Sequence, residues 1–461
     1  MHASKFFRAA LVFFLALALN SCGGGSSVTT PPPQGVKTGS VFVIGTDAPL
    51  AGVVAFRITF TGLSVSDGTN TQSLLSQPQE LEFSRLNGLR TLLSLQSIPV
   101  GTYTSFTATL SNPVISFLDT TTNPPSIQTL NGTLTKSSVT VQLQNPLSVA
   151  DGDLVGLLLD FRLRDSLLVG GTGQLTGQVN PELVLRVIPP DAPEAVIDEL
   201  RGGVVSVDLA NNSFVMQGPL GRNYTVVTDA QTHFEEGEGL NTLTTNSIVV
   251  VSGSLQRQTL TLKATEVIVI SQDRFVVGGL VTDVRPGTGP ANEVDLLVRS
   301  ELPDLSGVQI GRISTFGITG NERFMIHTFQ FSFAPFLFNR GAMIRGQRLA
   351  LGGTQSGNTL DVRRVVLQRQ GLEGGWVPAS TNIISGNNGT FMFQSAGILG
   401  VLFANQVKVI TSDRTRFINL SGLQDLNGTA SIHLRVVGLV LKNTLGNNEQ
   451  VIVAMAVEKL P

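Results

Sequence analysis

Residues 54–61 read VAFRITFT, and this stretch decides the fold class. Every second side chain is apolar, a period of two that predicts a strand with one buried and one solvent-facing side. The same alternation recurs at 139–143 (VTVQL) and 157–164 (LLLDFRLR). Turn dipeptides such as Asp67-Gly68 and Asn131-Gly132 separate such runs. The sequence therefore predicts an all-β protein.

The composition excludes several classes of protein. The 461 residues carry 31 Lys+Arg against 33 Asp+Glu, and 14% of them are charged, where about 25% is usual. A nucleic-acid-binding protein would be clearly basic, so no nucleic-acid partner is expected. One cysteine cannot build a disulfide scaffold or a Cys-rich zinc site. The length indicates several domains.

One short helix is expected near residues 86–95. Leu86, Leu89 and Leu93 are spaced so that they would share one helical face. No other segment has a comparable helical pattern.

The N-terminus reads as an export signal over residues 1–21. Lys5 and Arg8 precede an apolar run at 9–19, which is shorter than the about 20 residues that span a bilayer. The run ends at Leu19-Asn20-Ser21-Cys22, which resembles a bacterial lipobox, whose cysteine is lipidated. The alternative is an ordinary cleaved signal with an incidental cysteine.

The lipobox resemblance implies a membrane partner and a location. Cys22 would carry the lipid, and residues 22–36, rich in Gly, Ser and Pro, would form a flexible tether. Because no Asp follows Cys22, the resemblance implies a lipid-anchored protein of the bacterial outer membrane, on a face that the sequence does not reveal.

A proline-rich break divides the rest of the chain. Pro189, Pro190 and Pro193 cannot lie in a central strand, so a β-sandwich-like domain is predicted at 37–190. Three tandem small β-barrel modules are predicted to follow, at 202–270, 275–370 and 371–461.

The repeat is marked by a glycine inside an apolar strand. Gly253, Gly346 and Gly438 are 93 and 92 residues apart and are interpreted as equivalent. A glycine in such a strand marks a bulge or a bend, which a small barrel needs because its strands coil.

Four segments of the first domain resemble a known family. They are GTDAP at 45–49, FRITFTGL at 56–63, IPVGTY at 98–103 and LDF at 159–161. They are similar to domain of unknown function 4382, found in bacterial lipoproteins. The three later modules resemble domain of unknown function 5666, a small barrel often found in tandem. Neither resemblance implies a known activity, ligand or catalytic residue.

The common catalytic motifs are absent from the sequence. No phosphate loop, nucleophile elbow or zinc-protease motif is present, so no catalytic residue, metal or cofactor is predicted. Asp47 is read as a turn-capping residue, with a cation ligand or catalytic acid as the alternative. The acidic loops at 151–153 and 235–238 are read as solvated, with calcium binding as the alternative.

The middle module contains the candidate interaction surface. Phe329, Phe331 and Phe333 alternate along one strand, and the module has ten Arg against seven acidic residues between 275 and 370. They are either core residues or an apolar ridge beside Arg345 and Arg348 that contacts a partner.

These observations predict a non-enzymatic, lipid-anchored cell-envelope protein whose β domains bind a ligand or act as a spacer. An envelope protein or a glycan is the expected class of partner. The alternatives are a surface hydrolase that acts on polysaccharides and an accessory factor for outer-membrane export or assembly.

Overall fold

The structure is a computed structural model that describes residues 37–460. Excepted are residues 48–49, 51, 120–125, 172–173, 219–220, 236, 274, 304, 306, 328–335, 357–358, 397–399, 401, 403–405 and 444–448. The described residues are almost all β, which confirms the predicted fold class.

The first domain contains two main sheets and one small sheet. One main sheet has the order β13-β10-β1-β5, with β1 and β10 parallel. The other has the order β3-β2-β6-β7, with β4 beside β2 and β9 beside β6, and the small sheet joins β11, β12 and β8. The strands are β1 (Thr38–Asp47), β2 (Val53–Ser66), β3 (Thr71–Ser73), β4 (Gln79–Glu82), β5 (Thr91–Pro99), β6 (Gly101–Asp119), β7 (Ser126–Asn131), β8 (Thr133–Leu134), β9 (Ser138–Val149), β10 (Leu154–Phe161), β11 (Leu167–Val169), β12 (Leu175–Val179) and β13 (Leu183–Ile188).

Strand β1 is buried on both faces. Val41 and Val43 face the interior of the first domain, where Phe56 and Phe60 of β2 lie. Phe42 and Ile44 point the other way, into a second core that includes Val249 and Val251 of the next module. A continuous apolar run is the sequence signature of a strand with no wet face.

The prediction of a helix at 86–95 is wrong for most of that range. A 3-10 turn at Ser84–Leu86 is followed by strand β5 from Thr91. The leucines are spaced for a helix, but β5 buries side chains on both faces, so its apolar positions do not reveal a period of two. Among the described residues, the one α-helical segment longer than a single residue is the turn α1 (Leu163–Ser166), and further 3-10 turns lie at Pro193–Ala195, Leu240–Thr242, Arg340–Ala342 and Leu423–Asp425.

The remaining strands form three sheets in chain order, which we call the first barrel, the middle module and the third barrel. The first barrel contains β14 (Ile197–Asp208), β15 (Ser213–Gln217), β16 (Asn223–Val227), β17 (His233–Phe234), β18 (Ile248–Leu255) and β19 (Leu262–Ser271). The middle module contains β20 (Phe275–Arg285), β21 (Glu293–Leu302), β22 (Ile313–Gly317), β23 (Arg323–Ile326), β24 (Arg348–Ser356) and β25 (Thr359–Gln368). The third barrel contains β26 (Gln370–Trp376), β27 (Asn382–Ser385), β28 (Asn388–Ser395), β29 (Gln406–Thr411), β30 (Arg416–Ile418), β31 (His433–Lys442) and β32 (Gln450–Lys459).

All three sheets repeat one pairing pattern. In the first barrel, β14 lies between β15 and β18, and β18 pairs with β19. In the middle module, β20 lies between β21 and β24, and β24 pairs with β25. In the third barrel, β26 lies between β28 and β31, and β31 pairs with β32. The third barrel adds β27 at one edge. Pairing of β16 with β19 closes a five-stranded ring, and pairing of β26 with β28 does the same in the third barrel. The middle module shows no closing pair in its described residues.

Glycines mark the bends of these strands, but the glycine predicted for the middle module, Gly346, is not the one at the bend. The bulges of the equivalent strands β18, β24 and β31 lie at Gly253, Gly353 and Gly438. At each of the three, a Cβ would overlap a backbone carbonyl oxygen of the partner strand. Gly346 instead lies in the turn before β24 with φ +81°. The equal spacing was therefore coincidental, since the true intervals are 100 and 85 residues.

The modules pack through the outer faces of their strands. Ile248, Val250 and Ile268 of the first barrel form one buried cluster with Val276 and Val366 of the middle module. In the same way, the third barrel contributes two leucines of β31 to the core of the middle module, at positions 439 and 441. Strands buried both inside and outside the barrel explain the continuous apolar runs. No described helix is long and apolar enough to cross a lipid bilayer.

The bulge glycines yield a direct test. Gly438→Ala places a methyl group against the Val453 carbonyl and is expected to destabilise the protein by about 1–3 kcal/mol, the usual range for overpacking. Gly203→Ala in β14 is the control, because no atom lies within 4 Å of the position that its Cβ would take. Thermal unfolding should separate the two, and equal midpoints would contradict the role given to Gly438.

Candidate functional site

A buried ion pair joins the first barrel to the middle module. The Glu199 carboxylate accepts hydrogen bonds from both terminal nitrogens of Arg348, at 2.9 and 2.7 Å. Arg85 of the first domain lies 3.8 Å from the same carboxylate. Burial opposes the ionisation of Glu199, but Arg348 and Arg85 outweigh it and lower the pKa of Glu199 to about 2. Glu199 is therefore ionised and held by two other parts of the chain.

The neighbouring Asp198 extends this junction. Its carboxylate lies 3.2 Å from Nε of Arg90 in the first domain and 3.5 Å from Arg369, which follows the middle module. Arg369 also donates a 2.8 Å hydrogen bond to the backbone oxygen of Asp198. We call Glu199, Arg348, Asp198, Arg90 and Arg369 the buried junction.

The third barrel also packs against the first domain, through contacts separate from the buried junction. Asn87 donates a 3.1 Å hydrogen bond from its side-chain amide to the Gly371 carbonyl. Arg164 lies 3.1 Å from Glu373. The first and last parts of the described chain are therefore in direct contact.

A cleft of about 470 Å³ lies between the first domain and the third barrel. Its volume is within the range of small-molecule sites, about 300–1,000 Å³. The charged residues that line it are Arg90, Arg186, Glu194, Arg416, Arg435 and Glu458. We call it the arginine cleft.

Two of its arginines are held in place by acidic partners. Arg90 pairs with Asp198 and donates a 2.8 Å hydrogen bond to the Pro193 carbonyl. Arg435 lies 2.9 Å from Glu373 and 3.2 Å from Glu458. These contacts fix two guanidinium groups at the cleft wall.

The other two arginines have no ion pair with a described residue. Arg186 projects from β13 and Arg416 from β30, and both are solvent-exposed. Partial desolvation, together with the positive charge of Arg90, lowers the pKa of Arg416. The cleft therefore presents two guanidinium groups that form no ion pair with a described residue, one from the first domain and one from the third barrel.

Two acids of the first domain, the buried Asp47 and the half-buried Asp160, interact electrostatically with Arg435 of the cleft wall. Asp47 is 1% exposed, and neither of its carboxylate oxygens has a hydrogen-bond partner of normal geometry among the described residues. Burial, together with the negative charges of Asp160 and Glu82, raises the pKa of Asp47 well above its usual value. Burial also raises the pKa of Asp160, whose carboxylate lies 3.9 Å from Arg162. Residues 48–49, which follow Asp47 in the predicted turn, lie outside the described residues, so the turn-capping role of Asp47 stays a prediction.

The predicted interaction surface lies only partly within the described residues. Phe329, Phe331 and Phe333 fall outside them, as does Cys22. Arg345 is exposed, and its Nε donates a 3.0 Å hydrogen bond to Asp283. The prediction is wrong for Arg348, which is 4% exposed. Its charge is used inside the protein to neutralise Glu199.

The acidic loop at 235–238 is not simply solvated. The Glu238 side chain is 2% exposed and contacts two arginines of the middle module, Arg323 and Arg364, the latter at 2.8 Å. Acids of a neighbouring module thus match part of the positive charge of the middle module. In contrast, the loop at 151–153 forms exposed ion pairs, through its two aspartates, with Lys37 and Arg257.

The described part of the chain shows no grouping of side chains suited to a metal ion. No three His, Cys, Asp or Glu side chains within it lie close enough together to hold one. The buried His327 lies 2.8 Å from Glu266, in a pair rather than a larger cluster.

Sequence reasoning missed the arginine cleft. Its four arginines lie between residues 90 and 435 and come from the first domain and the third barrel, the parts of the chain that no spacing rule connects. The excess of arginine over acidic residues in the middle module instead favoured an interaction surface in that module. The only usable signal was the pair of polar-face arginines at Arg186 and Arg416, which resembles any solvated strand face.

Comparison with known protein families identifies a match to the first domain. Residues 38–176 match the family model described as domain of unknown function (DUF4382). This match confirms the resemblance drawn from the four sequence segments. It covers less than half of the chain, and the family description carries no activity.

Other comparisons add little. No curated protein matches the chain. One solved structure, titled "drosophila Unr CSD456", matches with 10% identity over 57% of this chain and 97% of its own. Its TM-score is 0.14, so the likeness supports no conclusion about function.

The buried junction predicts a large loss of stability when one partner is removed. Arg348→Met leaves the Glu199 carboxylate without its bidentate partner, and we expect a loss of about 3–5 kcal/mol. The double variant Glu199→Leu/Arg348→Met should recover most of it, because no unpaired buried charge remains. Urea unfolding measures both, and a double variant no more stable than Arg348→Met would contradict the pairing.

The pH dependence of the same pair has a defined sign. The pKa of Glu199 is lower in the folded state than its usual 4.5, so its stabilising contribution is present above that value and is lost as the pH falls towards 2. The double variant should lose less stability over this range than the wild type. Parallel pH profiles would contradict the assignment.

The pH dependence of stability expected from Asp47 has the opposite sign to that expected from Glu199. Because its pKa is raised on folding, the protein loses stability as the pH rises above the unfolded value near 4. Asp47→Asn stays neutral and should stabilise the protein at pH 8 by about 1–3 kcal/mol, the range for an unpaired buried polar group. The gain should disappear below about pH 4. Asp151→Asn, at an exposed site, is the control, and a pH-independent effect of Asp47→Asn would refute the prediction.

Proposed function

We propose that this chain is a lipid-anchored protein of the bacterial cell envelope that binds an envelope ligand through the arginine cleft. The observation that carries the proposal is the cleft itself, which has a ligand-sized volume and two exposed guanidinium groups that form no ion pair with a described residue. Binding proteins hold such groups ready because a charged ligand can complete the pairing.

The anchor part of the proposal is supported by sequence. The apolar run at 9–19 is followed by Asn20, Ser21 and then Cys22, the one cysteine of the chain. Lipidation at Cys22 would hold the protein at the outer membrane, with residues 22–36 as the tether. The resemblance of the later modules to domain of unknown function 5666 belongs to this proposal, and the repeated strand pairing supports it.

Binding is better supported than hydrolysis. A glycoside hydrolase needs a protonated acid and a second carboxylate that both reach the substrate. Two acids line the cleft, and Glu458 is paired with Arg435 at 3.2 Å, which leaves Glu194 as the one lining acid without an ion pair to a described residue. Asp47, whose raised pKa suits an acid, is 1% exposed and does not line the cleft.

The anchor is tested by Cys22→Ala in the native host. We expect loss of metabolic labelling by a fatty acid and release of the protein from the membrane fraction. Ser21→Ala, which keeps the cysteine, is the matched control. Retention of the variant in membranes without lipid would overturn the anchor.

Ligand binding is tested by cross-linking in intact envelopes followed by affinity purification. The wild type should capture an envelope component, and Arg186→Gln/Arg416→Gln should capture much less of it. Capture that is independent of both arginines would exclude the cleft as the binding site. Turnover of an envelope polysaccharide by the purified protein would favour the hydrolase instead.

A further inference from the structure

We propose that the arginine cleft binds a doubly charged oxyanion of the phosphate-monoester class. The inference rests on the proposed binding function and specifies the chemistry of its ligand. The charge of the cleft, the origin of its arginines and its volume each contribute to the assignment.

The charge count of the cleft indicates a dianion. Four arginines and two glutamates line it. Arg90 and Arg435 are matched by acidic partners, while Arg186 and Arg416 have no ion pair with a described residue. Glu194 also lines the cleft without an ion pair to a described residue, so the excess is counted over the whole lining. Four arginines against two glutamates leave two positive charges, which a group with two negative charges would balance.

The geometry of the arginines suits a tetrahedral oxyanion. Arg186 belongs to β13 of the first domain and Arg416 to β30 of the third barrel, so the two arginines line the cleft from different domains. A guanidinium presents a planar fork of N–H donors that matches pairs of phosphate oxygens. A group with several equivalent oxygens can accept from both walls, which a single planar carboxylate does less well.

The paired arginines make the cleft preorganised. Arg90 is fixed by Asp198 and the Pro193 carbonyl, and Arg435 is fixed by acidic partners on two neighbouring strands. The positive charge of Arg90 acts unfavourably on Arg416, whereas the acids Asp198, Glu458 and Glu194 act favourably on it. A bound oxyanion would relieve this repulsion without moving the walls, and preorganisation of this kind favours binding.

The volume indicates that the phosphate is attached to a small polar body. About 470 Å³ exceeds the space that one phosphate fills, and the wall includes the polar side chains Thr46 and Asn419. A phosphorylated small molecule and a phosphomonoester lipid headgroup share this chemistry. The experiment has to separate these two sources.

The first arm measures binding in solution. The full chain in detergent is titrated calorimetrically with inorganic phosphate and with glycerol phosphate, and chloride at equal ionic strength is the blank. We expect binding of both probes, with the tighter affinity for glycerol phosphate. Absence of heat and of thermal stabilisation at millimolar concentrations of both probes would overturn the proposal.

Matched variants locate the site. Arg186→Gln and Arg416→Gln should each weaken glycerol phosphate binding by about tenfold, the scale of one charge-assisted contact. Arg312→Gln removes the same charge from an exposed position in the middle module and should leave the affinity unchanged. Glu194→Gln should tighten binding, because it removes a negative charge from the wall. Equal loss in Arg312→Gln would indicate nonspecific attraction and refute the site.

The second arm separates the two sources. The full chain is reconstituted in phosphatidylcholine vesicles with or without phosphatidic acid, and glycerol phosphate binding is measured again. Competition by phosphatidic acid identifies a lipid headgroup, whereas unchanged affinity identifies a soluble phosphate ester. Either result supports the class of ligand and decides its origin.

Failure of this inference differs from failure of the proposed function. If phosphate and glycerol phosphate do not bind while envelope cross-linking still depends on Arg186 and Arg416, the cleft binds a ligand of another class. If cross-linking does not depend on these arginines either, the proposed binding function fails as well.

Discussion

An ionised carboxylate with almost no access to water needs positive charge around it, and Glu199 imposes this constraint on three parts of the chain. It sits on the first strand of the first barrel and is matched by Arg348 of the middle module and Arg85 of the first domain. Neither arginine can move away without leaving a buried negative charge behind, which is strongly unfavourable. The relative placement of these domains is thereby specified by charge as well as by apolar contact.

The cleft is a consequence of the same packing. Arg90 faces it because Asp198, one residue before Glu199, holds its side chain. The other wall is supplied by the third barrel, which is held against the first domain by Asn87 and Arg164. Contacts between domains therefore bring the two walls of the candidate site together, while Arg435 is held within the third barrel by Glu373 and Glu458.

The fold class could be predicted from sequence because a strand with one wet face leaves a period of two, as at 54–61. The prediction failed where strands are buried on both faces. The stretch at 86–95 then looks helical, since apolar residues on both faces of a strand satisfy a helical spacing as well as any other. The bulge glycines show a related limit. The need for a bend is readable, but Gly353 and Gly346 differ in whether a partner-strand carbonyl lies against them, which sequence does not reveal.

The site could not be predicted for a different reason. Arg348 was expected to be available to a partner because arginine in a module with few acids suggests a free basic surface. Its partner lies 149 residues away in another module, and charge counts within a module omit such pairs. The arginines that do remain unmatched, Arg186 and Arg416, lie in parts of the chain with ordinary charge balance.

Contact between Asn87 and Gly371 has a consequence for how such a chain can change its length. In a linear solenoid each repeat touches only its neighbours, so repeats can be gained or lost with little effect on the rest. Here the last barrel returns to the first domain and closes the series of modules into a loop. Adding or deleting a barrel would separate the first domain from the third barrel, which are in contact here. The number of repeats is therefore fixed by this contact rather than by the stability of each repeat.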